Sequence, residues 1–174
     1  RSSDLMAGIL RLEDHLDRMH NSARLFGFEF DRHELRNRLH ASIFHLHNLS
    51  KIRLMLSKTG AMSVEIRPLN DVSYWRVAVV PLPVPHDDFR LRHKITDRAF
   101  YDDARKARPD CDEVIFVGAD GRLTEGSITA LFVERGDLLL TPRLETGLLP
   151  SVLRAELIAS GKAKEADLTI ADLH

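Results

Sequence analysis

The chain has a single cysteine, Cys111, among its 174 residues. One cysteine excludes an internal disulfide framework and fits a reducing compartment, so a cytoplasmic location is expected. An excess of charge of either sign is also missing: 25 Lys and Arg against 26 Asp and Glu leave a formal net charge of -1. Without a basic stripe, binding to a nucleic-acid backbone is not expected. No apolar run reaches the ~20 residues that span a bilayer, and no signal-peptide pattern opens the chain, so no membrane partner is expected either. Internal repeats and low-complexity tracts are absent.

What remains is the composition of a folded globular protein, 44% hydrophobic and 29% charged, in a length that suits one domain or two small ones. The chain opens at Arg1 without methionine and stops at "ADLH" just after a strand-like run. A sequence trimmed at both ends is therefore expected.

Leu12, Leu16, Met19, Ala23 and Phe26 recur at helical spacing and predict an amphipathic helix. A second helix is predicted from Asp31, where "DRHE" offers Asp31 as N-cap with Glu34 reaching back. It runs through Leu35, Leu39, Ile43 and Leu46. "KIRLML" and "MSVEIR" then alternate like strands around "SKTGA", a hairpin signal, and "WRVAVV" reads as a third strand. Pro81, Pro83 and Pro85 make the next segment extended and stiff. It is read as a linker, 81–88, between an N-terminal α+β lobe, 1–80, and a C-terminal lobe, 89–174.

The second lobe begins with "TDRAFYDDARKAR", predicted helical with Thr96 as N-cap and Pro109 beyond its end. "DEVIFVG" is a buried-type strand, and Asp120-Gly121 is a hairpin turn into "RLTEG". "TALFVE" and "DLLLT" form another strand pair. "SVLRAELIASG" is a short helix between an N-cap at Ser151 and a stop at Gly161, and "KAKEADLTI" ends the chain as a strand. The mixture indicates an α+β class with two lobes.

Three features carry chemistry. Lys94 lies where an extended basic segment gives way to a helix. Glu125 lies where a strand end meets a loop. Val152 and Leu153 open a helix whose first N–H groups have no intrahelical partner, which suits an anion. A primary amine, a carboxylate and a phosphate cradle are what pyridoxal 5′-phosphate (PLP) requires: an amine for the Schiff base, a carboxylate for the pyridine nitrogen and N–H donors for the phosphate.

The segments "HKITDRAFYDDAR", "DEVIFVGADGRLTEGSITALFVERGDLLLTPRLETGLLPSVLRAEL" and "RLEDHLDRMHNSARLFGF" resemble the class IV aminotransferase family, the fold-type IV PLP enzymes. Within it they most resemble its lyase branch, which acts on 4-amino-4-deoxychorismate. The resemblance covers most of the chain. It implies the two-lobed fold of that family, Lys94 as the Schiff-base lysine, Glu125 as partner of the pyridinium nitrogen, and Arg18 as a phosphate ligand beside the amides of Val152 and Leu153. It also implies a small amino substrate and a homodimer.

The chain departs from the family pattern at Ala130, where asparagine is usual, and in "LPSVLR", where Ser151 and Leu153 replace glycine and threonine. The family's first strand and last segment have no counterpart here. The implied reaction is elimination of pyruvate to give p-aminobenzoate in folate synthesis. The alternatives are a branched-chain or D-amino acid aminotransferase and a non-catalytic relic of the fold. Branched-chain enzymes place tyrosine five residues after the lysine, where this chain has Ala99, and that favours the lyase.

Other residues are read more plainly. His33, His40, His45 and His47 do not stack on one helix face, and no metal site is expected. Tyr101 and Asp102 belong to the outer face or packing of their helix, and Trp75 and Tyr74 to the core or a lobe interface. Arg98 is expected to pair with Asp102 at i+4, or else to meet a substrate carboxylate.

Overall fold

The computed structural model describes residues 8–69 and 72–173. The chain divides into two compact units, Arg1–Val72 and Ser73–His174.

In the first unit, α1 (Leu12–Phe26) stops at Gly27, whose φ of 67° is the left-handed conformation that releases a helix C-terminus. Helix α2 (Arg32–Ile43) starts at Asp31, whose side chain accepts from the Glu34 N–H at 3.0 Å. The expected N-cap is present. Glu34 does not reach back; it accepts from Arg38 one turn on, at 2.7 Å, and the helix ends at Ile43, short of Leu46. Strands β1 (Ser50–Leu56) and β2 (Met62–Pro68) form the expected antiparallel hairpin, in register from Ser50↔Pro68 to Leu56↔Met62. Leu16, Leu35 and Leu39 are buried at the centre of this unit, with Ile52, Leu54 and Val64 of the hairpin packed against them.

The second unit holds two three-stranded sheets. One runs β3 (Val77–Pro81), β4 (Glu113–Val117), β5 (Leu123–Gly126); the other runs β6 (Val133–Arg135), β7 (Leu138–Pro142), β8 (Ala163–Ala166). Each contains one parallel pair, β3 with β4 and β7 with β8. Parallel neighbours need a crossover connection, because a tight turn only reverses the chain. The first crossover carries α3 (Phe89–Arg92) and α4 (Ala99–Lys106), and the second carries α5 (Val152–Ala159).

Strand β4 explains how the sheet is sandwiched. Val114 and Phe116 enter one core cluster with Ala78, Leu91 and Tyr101, while Ile115 enters another with Leu123, Val133 and Leu168. Successive strand residues face opposite ways, so a strand covered on both sides must be apolar throughout. Fully burying a side chain such as Phe116 or Leu91 contributes about 1.5–3 kcal/mol.

The expected linker at 81–88 is corrected. The division falls earlier, between Val72 and Ser73. Strand β3 belongs to the second unit because its backbone pairs with β4 from Val77↔Glu113 to Pro81↔Val117. The proline segment continues inside that unit: Leu82 donates its N–H to Val117 O at 2.8 Å, and Leu82 and Val84 pack on the core. Tyr74 and Trp75 are exposed rather than core residues. Helix α4 starts at Ala99, so Thr96 is not its N-cap, and the strand predicted over "KAKEADLTI" is confined to β8. No helix among the described residues is long and apolar enough to cross a membrane.

Candidate active site

Lys94 is delivered by a short, well-tied segment. Asp88 caps α3 by accepting from the Arg90 N–H at 2.9 Å, and it also holds the Arg90 guanidinium at 2.7 Å. His93 leaves the helix in extended backbone, φ -124° and ψ 135°. Lys94 therefore stands, exposed, at the junction between α3 and α4, and the basic segment before it, read as extended from the sequence, is helical over Phe89–Arg92. Burial, with the charge of Arg92, pushes the adjacent His93 imidazole below its usual range.

Glu125 lies near the end of β5 and is only 6% exposed. Its Oε1 accepts from the Tyr101 hydroxyl at 2.5 Å and from Arg98 Nη2 at 3.2 Å. Burial pushes this carboxyl above the usual range. The Tyr101 hydrogen bond, the Arg98 charge, the Leu149 backbone N–H and the Lys94 ammonium pull it back. Lys94 and Glu125 thus lie within electrostatic reach of one another.

The expected Arg98–Asp102 pair does not form. Arg105 takes Asp102 at 2.9 Å, and Arg98 turns to Glu125. Tyr101 is packed, 3% exposed, against Phe116 and Phe100. The spacing of Arg98 and Tyr101, three residues apart at the start of a helix, was the available signal for a shared target.

A second buried carboxylate shapes the loop after Glu125. Glu113, 2% exposed, accepts from the N–H groups of Val114 (2.9 Å), Ser127 (3.0 Å) and Ile128 (3.1 Å). It also accepts from the hydroxyls of Ser127 and Thr129. Gly126 is required by this arrangement, because a Cβ there would strike Thr129 Oγ1 and come within 2.9 Å of Glu113 Oε2. Sequence reasoning passed over Glu113 because an acidic residue opening a strand is ordinarily solvated.

Helix α5 starts as predicted. Ser151 accepts from the Arg154 N–H at 3.2 Å. That bond leaves the first-turn N–H groups of Val152 and Leu153, which have no intrahelical acceptors. Arg154 is buried and anchors this turn to the second sheet, donating to Pro142 O at 3.0 Å and to Glu165. The preceding loop turns at Gly147, φ 87°, where a Cβ would lie 2.7 Å from His86 O. The same loop carries the Leu149 N–H that faces Glu125.

The second unit therefore holds four of the five expected residues: Lys94, Glu125, Val152 and Leu153. Arg18 belongs to the first unit, on α1, with Nη2 3.4 Å from His15 Nδ1. Ala130, the departure from the family pattern, lies in the loop between β5 and β6.

Comparison with known proteins bears on the family and the fold. The family model described as amino-transferase class IV matches residues 6–174. A Schizosaccharomyces pombe protein provisionally named aminodeoxychorismate lyase is 26% identical over 164 residues, covering 90% of this chain and 71% of its own. The crystal structure of a Mesorhizobium loti protein provisionally described as an amino-acid aminotransferase aligns with a TM-score of 0.86 at 32% identity, over 94% of this chain and 82% of that one. The PLP-bound form of a hypothetical aminotransferase from Mycobacterium tuberculosis aligns with a TM-score of 0.76 over 94% and 68% of the two chains; at 21% identity that likeness shows the fold alone. With a family model spanning nearly its whole length and the α+β fold those structures share, the chain belongs to the class IV aminotransferase family of PLP-dependent enzymes.

Proposed function

We propose that this chain carries out PLP-dependent elimination of pyruvate from 4-amino-4-deoxychorismate, giving p-aminobenzoate for folate synthesis. The observation that carries the reading is the buried Glu125 carboxylate within electrostatic reach of the exposed Lys94 amine. A phosphorylated pyridine aldehyde fits the groups present: an amine for the aldehyde, a buried anion for the ring nitrogen, and the Val152 and Leu153 amides for the phosphate. Arg18 is assigned to the phosphate by the resemblance alone. A homodimer in the cytoplasm, where the lone Cys111 stays reduced, completes the proposal.

When bound, PLP supplies an aldehyde that captures amines and a ring that takes up the electron pair of a breaking bond. Lys94 is the amine that would hold that aldehyde. The Lys94 amine would serve as the base that takes a proton from the carbon bearing the substrate amine and as the acid that delivers one to the departing enolpyruvyl group. Glu125 holds a proton on the ring nitrogen. The amides at the start of α5 orient the phosphate without moving a proton.

One specific observation favours a second reading, amino transfer: the Mesorhizobium loti protein at 32% identity is described as an aminotransferase. Against it stands Ala99, the exposed first residue of α4, at the position where branched-chain enzymes carry tyrosine. The deciding experiment supplies 4-amino-4-deoxychorismate without any keto acid. Repeated turnover to p-aminobenzoate and pyruvate supports the lyase. No product there, with rapid exchange between leucine and 2-oxoglutarate, moves the assignment to an aminotransferase.

A further inference from the structure

Two donors from the first turn of α4 meet on a single oxygen of Glu125, the Tyr101 hydroxyl at 2.5 Å and Arg98 Nη2 at 3.2 Å. We propose that Arg98 and Tyr101 are positioning residues that keep the Glu125 carboxylate ionised and fixed in orientation, so that it can retain a proton on a heteroaromatic ring nitrogen. The inference rests on the reading above, in which Glu125 faces that nitrogen.

A carboxylate anchored through one oxygen by two donors has little freedom to turn. The donors are themselves held. The Arg98 Cζ lies 4.1 Å over the Tyr101 ring, and that ring stands edge-on to Phe116 at 5.1 Å between centroids, with Phe100 at 4.5 Å. Arg98 is also released from its local alternative, since Arg105 satisfies Asp102. The salt bridge is well shielded, with the Arg98 and Glu125 side chains 11% and 8% exposed. A pair so shielded from water is screened far less than a surface pair.

The need for such a grip follows from burial. Desolvation favours the neutral acid, and a neutral carboxyl no longer supplies the charge that retains a ring proton. The groups facing Glu125 that oppose this are Tyr101 and Arg98 from α4, Lys94 from the segment before it, and the Leu149 N–H from the loop before α5. Burial and the neighbouring carboxylate push the Tyr101 hydroxyl far above its usual range, so it remains a donor throughout the working pH range. Lys94, Arg98 and Tyr101 are four and then three residues apart on one segment. The segment that delivers the amine therefore also conditions the carboxylate.

The test uses Tyr101→Phe, Arg98→Met and Arg98→Lys in the full chain. In the cofactor-free protein, carboxyl-13C glutamate is followed by NMR against pH, with the Glu125 signal identified by its loss in Glu125→Gln. The midpoint should rise by on the order of one pH unit in Tyr101→Phe and in Arg98→Met, the loss of one neighbouring donor or charge. Arg98→Lys should restore part of the shift, since it keeps the charge without the planar fork. An unchanged midpoint in both Tyr101→Phe and Arg98→Met overturns the inference. So does an equal shift in Arg98→Met and Arg98→Lys, which indicates lost packing. Borohydride fixation of PLP to Lys94 in the unaltered protein is scored separately. Its absence removes the cofactor reading, while an unmoved midpoint with intact labelling removes only the roles of Arg98 and Tyr101.

Discussion

Replacing Glu113 by glutamine changes one oxygen to an NH2 group in a site that supplies only donors. The carboxylate accepts five hydrogen bonds, from the N–H groups of Val114, Ser127 and Ile128 and the hydroxyls of Ser127 and Thr129. Oε1 takes three of them and Oε2 the other two. The amide oxygen is best placed where Oε1 was. The NH2 group then faces the Thr129 hydroxyl, which can turn to accept, and the Ile128 N–H, which cannot. One backbone donor loses its partner, so Glu113→Gln should cost about 1–3 kcal/mol. Glu113→Ala orphans three N–H groups and should cost on the order of 3–6 kcal/mol, a large share of the ~5–15 kcal/mol stability of a typical domain. Urea unfolding followed by the fluorescence of Trp75, the one tryptophan and a residue of the second unit, reads this directly. A lowered midpoint at constant slope is expected. A Glu113→Gln protein within about 0.5 kcal/mol of the unaltered chain, or a Glu113→Ala protein no less stable than Glu113→Gln, refutes the reasoning.

Three further outcomes are expected. Borohydride reduction of the PLP-loaded chain should label the peptide containing Lys94 and fail in Lys94→Ala; a label on Lys51 or Lys58 would remove Lys94 from its role. Arg18→Ala should weaken PLP binding by about 1–3 kcal/mol in equilibrium titration, the worth of one charge-assisted contact, and unchanged affinity would free Arg18 from the phosphate. The Arg90 guanidinium holds the Asp88 carboxyl below its usual range. A depressed folded-state pKa contributes stability that is full above the unfolded value and lost as pH falls through the folded one. Asparagine keeps the cap and loses the charge. Asp88→Asn should therefore lower Tm at neutral pH, by a margin that shrinks on acidification; a deficit independent of pH speaks against the pairing.

Local signals in the chain were sufficient wherever a residue acts on its own backbone. Asp31 and Ser151 cap helices because a short acceptor side chain reaches the N–H three residues on, and that geometry needs no distant partner. The turn at Asp120-Gly121 forms because Gly121, φ 81°, enters the left-handed region at little cost. The same locality made Lys94, Glu125 and the start of α5 legible: each marks the end of an element, where side chains and free N–H groups point away from regular structure.

Pairing across the fold was decided elsewhere. Nothing within "WRVAVV" says that it joins β4 in parallel rather than extending the hairpin before it, so the boundary read at the prolines fell too late. Arg98 had a partner one turn away in Asp102, and only the packing of α4 on β4 and β5 turned it to a carboxylate 27 residues distant. Glu113 reads as a solvated acid until the loop from Gly126 to Thr129 closes over it and presents its donors. The sequence by itself determined most of the elements and the caps at Asp31 and Ser151, because those depend on backbone conformation within a few residues. Which buried acid meets which donor was settled by tertiary structure alone, because burial removes water as a competing partner and leaves the choice to whatever side chains the fold brings within reach.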